Sequence, residues 1–193
     1  MIYTKSGPPL SAARIRRLFR VYQLQSGALT KSVHTTGYKL RFTRKPRLTR
    51  PSALTPGPAD EELQQQWEQL VARGIARRVT DNSLGYYSHS FLIPKKNKAE
   101  KRMISDLRRL NAFIFHRSCK LRGLDQALKA VTKFAWLLSI DVQDGYFNVP
   151  IDKGFTHYFR FMVGSTCYEM LKLPMGYCGS LEAFRAWLRP YIK

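Results

Sequence analysis

Two hydrophobic periods share this chain, and the switches between them mark its elements. From residue 60 to 74 the period is helical. Leu63, Trp67, Leu70 and Val71 recur on one face, Asp60 stands where a capping carboxylate belongs, and Glu61 and Glu62 fill the first turn at the positive end of the dipole. Gly74 is placed to close the helix, and Trp67 reads as core. The pattern then becomes that of strands. Tyr87–Pro94 and Lys101–Ser105 read as a hairpin pair, with Lys95-Lys96-Asn97-Lys98-Ala99-Glu100 as its charged tip. Asp106–Asn111 is a polar turn leading to the apolar Phe113–Phe115. A helix is expected over Leu124–Thr132 and an apolar strand over Phe134–Ile140. A second hairpin is expected from Phe155–Val163 and Cys167–Leu171 around Gly164-Ser165-Thr166. Last comes a glycine-bearing loop, Leu173–Ser180, opening a helix over Leu181–Leu188.

Before residue 60 neither period is sustained. Pro8, Pro9, Pro46, Pro51, Pro56 and Pro58 punctuate the stretch, and only Ala12–Gln23 reads as a short amphipathic helix, with Ile15, Leu18, Phe19 and Tyr22 on one face. Residues 1–58 are therefore expected as a flexible basic leader and 59–193 as the folded domain. Charge sharpens the division. Of 193 residues 33 are Lys or Arg and 13 are Asp or Glu, giving +20; twelve of the cations and none of the acids precede residue 60. A field of this sign favours polyanions, nucleic acid first among them. The leader also has the look of a mitochondrial presequence, the alternative to a nuclear or cytoplasmic address. Three widely spaced cysteines and four histidines make no zinc spacing and suggest reduced thiols in an intracellular protein. No apolar run is long enough to span a membrane.

The chemistry concentrates in Ser139-Ile140-Asp141-Val142-Gln143-Asp144-Gly145-Tyr146-Phe147. An apolar strand that ends in a carboxylate needs a partner for that acid, and hard oxygen ligands suit magnesium. An isolated Asp-x-x-Asp is more often an exposed turn, so its neighbours decide. Those neighbours, in order, resemble the fingers and palm of a reverse transcriptase from about Glu61 to Phe184. Pro94-Lys95-Lys96 and Lys101–Asn111 look like the family's fingertip hairpin, residues 139–152 resemble its first catalytic motif, and residues 173–184 resemble the loop and helix beneath the incoming nucleotide.

The resemblance implies an α+β fold of the right-hand polymerase type, truncated before the second catalytic strand pair. It implies nucleotidyl transfer to a primer end by two-metal catalysis. Asp141 would be catalytic and, with the Val142 carbonyl, a magnesium ligand. Lys95, Lys96 and Arg102 would clamp the triphosphate, with Asp144, Gly145, Tyr146 and Met175 completing the nucleotide site. The Asp144 side chain is expected as an orienter rather than a ligand, and Tyr146 as the ring that excludes a ribose 2′-hydroxyl. Asp106, Arg108 and Gly176 would border the templating base. Met175 departs from the glutamine of some relatives, and Leu181 from their proline or alanine. The implied partners are an RNA or DNA template with its primer and deoxynucleoside triphosphates, with no membrane. The texture is nearest to retroviral and retrotransposon enzymes.

The family's Tyr-x-Asp-Asp does not occur in these residues. The chain is therefore expected to be a retroelement fragment, inactive alone and prone to self-association through the open edge of the 134–140 strand. The competing reading is a non-catalytic nucleic-acid-binding protein.

Overall fold

The computed structural model describes residues 28–54, 60–95, 101–115 and 141–191. One five-stranded sheet organises them. Its strands are β1 (Ala76–Val79), β2 (Tyr87–Pro94), β3 (Lys101–Asp106), β4 (Arg160–Val163) and β5 (Thr166–Met170), in the spatial order β1-β5-β4-β2-β3. All neighbours are antiparallel except β2 and β4, which run parallel with Tyr87 opposite Arg160. Among the described residues four α-helices accompany the sheet: α1 (Ala28–Thr35), α2 (Glu61–Ala72), the single turn α3 (Arg108–Asn111) and α4 (Ser180–Leu188).

Helix α2 forms as its sequence predicts. The Asp60 carboxylate accepts from the Leu63 amide at 3.0 Å. At the other end Ile75 N–H donates to the Leu70 carbonyl and Gly74 N–H to that of Val71, the paired bonds of a Schellman close. The face so presented seats Trp67 in the core, stacked on Tyr168 with centroids 5.1 Å apart and tilted against Phe161 at 4.9 Å. Its indole N–H donates to Ser90 Oγ at 3.0 Å, so the ring is buried without an orphan donor.

Strand β1 has no counterpart among the expected elements, because its four residues, Ala-Arg-Arg-Val, carry too few apolar positions to show a period. Its stability comes from β5. Arg77 sits opposite Glu169, and that fully buried carboxylate receives Arg77 from one side and Arg160 Nε, at 2.7 Å, from the other. Arg160, itself buried, also donates to the Ser83 carbonyl and hydroxyl. Burial alone would raise the Glu169 carboxyl; the two guanidinium partners outweigh it and hold the group below its ordinary value.

Two expectations need correction. The strand over Phe155–Val163 is shorter: Asp152 captures the Gly154 amide with its side chain and that of Phe155 with its carbonyl, Thr156–Tyr158 is a 3-10 turn, and the ladder begins at Arg160. The larger correction concerns the leader. Residues 28–54 are part of the fold. Val33 and Tyr38 are buried to within 1 % of complete and Leu40 to 5 %. Tyr38 exchanges backbone bonds with Pro150 and Asp152, Thr43 bonds Phe113, and Thr49 exchanges both bonds with Gly85. Gly37, at φ +101°, lies so close to residue 151–152 backbone that a Cβ there would meet Asp152 N at 2.6 Å. The alternation Tyr38-Lys39-Leu40 is too short to stand out among prolines and cations, which is why composition misleads. The expected helices at 12–23 and 124–132 and the expected strand at 134–140 lie outside the described residues.

Candidate functional site

Three short segments meet at the open end of the sheet. The first is the end of β3 and the turn α3. Asp106 closes β3 and turns its carboxylate onto Arg108, accepting from Nε at 2.9 Å, from Nη2 at 2.7 Å and from the backbone amide at 3.1 Å. The Arg108 side chain, and then its amide, depress the Asp106 carboxyl to about 2. Arg108 itself is largely exposed.

The second segment is the glycine loop after β5. Gly176 adopts φ +91°, and a Cβ there would stand 2.8 Å from the Ser105 carbonyl, so only glycine lets this loop lie against the end of β3. Asn111 clamps the two together: its Nδ2 donates to the Gly176 carbonyl at 2.8 Å, and its Oδ1 accepts from the Cys178 amide at 3.1 Å. Beside them Met175 is 55 % exposed. Ser180 then opens α4, its hydroxyl bonded to the Pro174 carbonyl at 2.9 Å.

The third segment is the acid turn, 141–149. Asp144 lies in the left-handed region at φ 51°, and a 3-10 turn over Gly145–Asn148 follows. Asn148 Nδ2 ties the turn back to the Gln143 carbonyl at 3.2 Å. The turn docks on α4: Tyr146 meets Phe184 edge-on with centroids 5.7 Å apart, and a Cβ at Gly145 would touch the same ring at 3.2 Å. Its exit is joined to the glycine loop by the Leu173 amide on the Val149 carbonyl. Asp141, at its entry, is exposed.

The structure thus ties the Gly176 loop to the end of β3 through Asn111, with Asp106 and Arg108 paired at that strand end and Met175 next to Gly176 in the loop, and it joins the Gly145–Tyr146 turn to the loop and α4 through Val149 and Phe184. It does not complete the set. Among the described residues no hydrogen bond or ion pair links Asp141, Arg102 or Met175 to one another. Arg102 stands exposed on β3 opposite Ile93, Lys95 is half-buried at the end of β2, and Lys96 lies outside the described residues. The Asp144 carboxylate is taken by Arg73, just past α2, in a polar cavity also lined by Ile75, Gln143, Phe147 and Asn148. Asn111, Phe184 and Arg73 are the participants that sequence reasoning misses. A lone asparagine after a leucine carries no pattern, and pairing over 71 residues leaves none either.

For metal, the donors at hand are the Asp141 carboxylate and the Val142 carbonyl. One carboxylate and one carbonyl could at most contribute to holding a single divalent ion, with water filling its other positions, and would not suffice for two. Among the described residues no group of three His, Cys, Asp or Glu converges on a metal position.

The comparisons with known proteins give the family. Residues 93–189, half of the chain, match the family model described as reverse transcriptase (RNA-dependent DNA polymerase). The chain belongs to the reverse transcriptase family. It is also similar to the Retrovirus-related Pol polyprotein from transposon 297 of Drosophila melanogaster, at 24 % identity over 136 residues, and so lies on the retrotransposon side of the family. That match covers 68 % of this chain and 13 % of the relative, so the chain spans only a small part of the polyprotein's length. All three segments described above fall wholly or almost wholly within the matched reverse transcriptase region, and the mixed sheet and helices fit the class. No helix of the described residues is long and apolar enough to cross a membrane.

Proposed function

We propose that this chain forms the nucleotide-positioning part of an RNA-directed DNA polymerase, one that adds deoxynucleotides to a primer annealed to an RNA or DNA template. The observation that carries the proposal is the Asn111 clamp. It fixes the glycine loop against the end of β3, and on this reading Asp106 and Arg108 on one side and Met175 and Gly176 on the other form the nucleotide and template surface. There a templating base could lie on the bare backbone of Gly176, beside the guanidinium of Arg108. Arg102, with Lys95 and Lys96, supplies cations for a triphosphate, and a planar guanidinium suits its oxygens. Tyr146, its ring edge-on to Phe184, is on this reading the side chain that excludes a ribose 2′-hydroxyl. Asp144, engaged by Arg73, serves by holding the turn and not by ligating metal.

Magnesium, held by Asp141 and the Val142 carbonyl, would supply Lewis-acid activation of the primer hydroxyl and neutralise phosphate charge. Two-metal transfer needs at least one further carboxylate. These 193 residues contain no Tyr-x-Asp-Asp, so the chain by itself extends no primer.

Titration of the purified chain with a fluorescent deoxynucleoside triphosphate in magnesium buffer tests the reading. Binding is expected, weakened roughly tenfold or more by Arg102→Ala and by Asp141→Asn, because charge-assisted contacts are each worth about 1.5–3 kcal/mol. Binding indifferent to both substitutions would leave a nucleic-acid-binding module without a nucleotide site. Primer extension by the unaided chain would refute the inactivity.

A further inference from the structure

Residues 38–50 cross the molecule as a strap pinned at three places, Tyr38 beside Ile151, Phe42 beside Ile114 and Thr49 beside Gly85. Its first part, residues 38–43, touches the neighbourhood of all three segments of the proposed nucleotide site. At the acid turn, Tyr38 N–H donates to the Pro150 carbonyl at 2.8 Å and the Tyr38 carbonyl accepts from Asp152 N–H at 3.0 Å, directly past the exit of the turn at Val149. Just after α3, Thr43 N–H donates to the Phe113 carbonyl at 2.9 Å and the Arg41 carbonyl accepts from Phe115 N–H at 2.7 Å.

At the glycine loop the contacts are made by side chains. The Tyr38 ring meets Tyr177 edge-on with centroids 5.9 Å apart. A Cβ on Gly179 would stand 2.6 Å from both Tyr38 Oη and Tyr177 Cε1, so the backbone there lies directly on the two rings. Arg41 Nη2 pairs with the Glu182 carboxylate in the first turn of α4. The helix start has use for such ties. Its N-cap is Gly179, which has no side chain to accept from the first-turn amides. The Ser180 bond to Pro174 stays within the loop. Asn111 holds the loop to β3, and the helix start that follows is held by Tyr38 at Gly179 and Arg41 at Glu182.

A buried tyrosine is ordinarily core, and a half-exposed ion pair ordinarily adds little to stability. What these two residues hold gives them a further part. Helix α4 carries Phe184, on which Tyr146 and Gly145 rest, so a shift at its first turn reaches the ring assigned to the sugar. We infer that Tyr38 and Arg41 are positioning residues of the nucleotide site: they seat the start of α4, and through Phe184 and the glycine loop they set the place of Tyr146 and Gly176. The inference rests on the nucleotide reading above and extends it to a stretch outside the residues 93–189 that match the family model. Neither side chain contacts nucleotide in this account; both act through α4.

The test uses the full chain and turns on the ion pair, because Tyr38 is core and its loss endangers the fold. Arg41→Ala should leave thermal unfolding nearly unchanged and speed amide exchange in residues 173–188. It should also weaken deoxynucleoside triphosphate binding in magnesium buffer roughly threefold or more and narrow the preference over the ribonucleotide. Glu182→Ala should do the same. That result separates placement from charge, since removing an acid would by its field alone tighten binding of an anion. Arg41→Lys keeps a cation opposite Glu182 and should retain most of the affinity. Lys45→Ala removes a cation from the exposed part of the strap and should change neither exchange nor affinity. Exchange in 173–188 unaltered by Arg41→Ala would overturn the inference whether or not nucleotide binds. So would faster exchange with affinity and sugar preference intact, tighter binding by Glu182→Ala, or an equal loss from Lys45→Ala. A chain that loosens as expected yet binds no deoxynucleotide in its unaltered form refutes the nucleotide reading, and the positioning role with it, while the hold on α4 stands.

Discussion

Single side chains do the joining in this site. Gly176 has a positive φ and a carbonyl 2.8 Å from where a Cβ would be, so Gly176→Ala is expected to cost about 1–3 kcal/mol and to displace the loop from β3. Asn111→Ala removes both bonds of the clamp; a loss of about 1–3 kcal/mol by thermal denaturation, with faster amide exchange in 173–180, is the expected result. Unchanged exchange there would mean that the loop holds itself. Most members of the proposed site can be named beforehand because the family's motifs are contiguous: Asp106, Arg108, Gly145, Tyr146 and Gly176 each fall in a run that announces itself. Asn111 falls within a quoted motif yet carries no role until its two bonds to the loop are seen. Arg73 is invisible, since one arginine after a helix has many possible partners and only the folded chain selects Asp144.

Elements were legible where a period had room to repeat. Helix α2 has three buried apolar residues over 12, and its caps follow local chemistry. Strands β2 and β3 are declared by their length and by the charged tip between them. Strand β1 is not, because its place is earned by pairing with β5 and by the charge network at Glu169. That network supports two expectations. Arg160→Met leaves a buried carboxylate with one partner fewer and should cost about 3–5 kcal/mol in urea unfolding. The pH dependence follows from the sign of the shift. Glu169 is held below its unfolded value, so its stabilisation is complete above about pH 4.3 and is lost as acid titrates the folded group. Glu169→Gln should therefore flatten the acid limb of the stability curve below that pH. A limb of unchanged slope would assign acid unfolding to other carboxylates, Asp106 first, whose window reaches down to about 2.

For the whole molecule, composition was the poorest guide. An acid-free, proline-punctuated stretch reads as a leader, yet residues 28–54 bury Val33, Tyr38 and Leu40 and lay a cationic strap over the fold. Tyr38→Ala is expected to cost about 3 kcal/mol or more, where a truly separate leader would cost nothing. The family was legible because three motifs stand in order, and order survives where composition blurs. What the chain does with that architecture rests on one discrimination. Affinity for a deoxynucleoside triphosphate should exceed that for its ribonucleotide in magnesium buffer, and Tyr146→Ala should bring the two together by admitting the 2′-hydroxyl. Equal affinities in the unaltered chain, or a preference that survives Tyr146→Ala, would contradict the nucleotide site proposed for this protein.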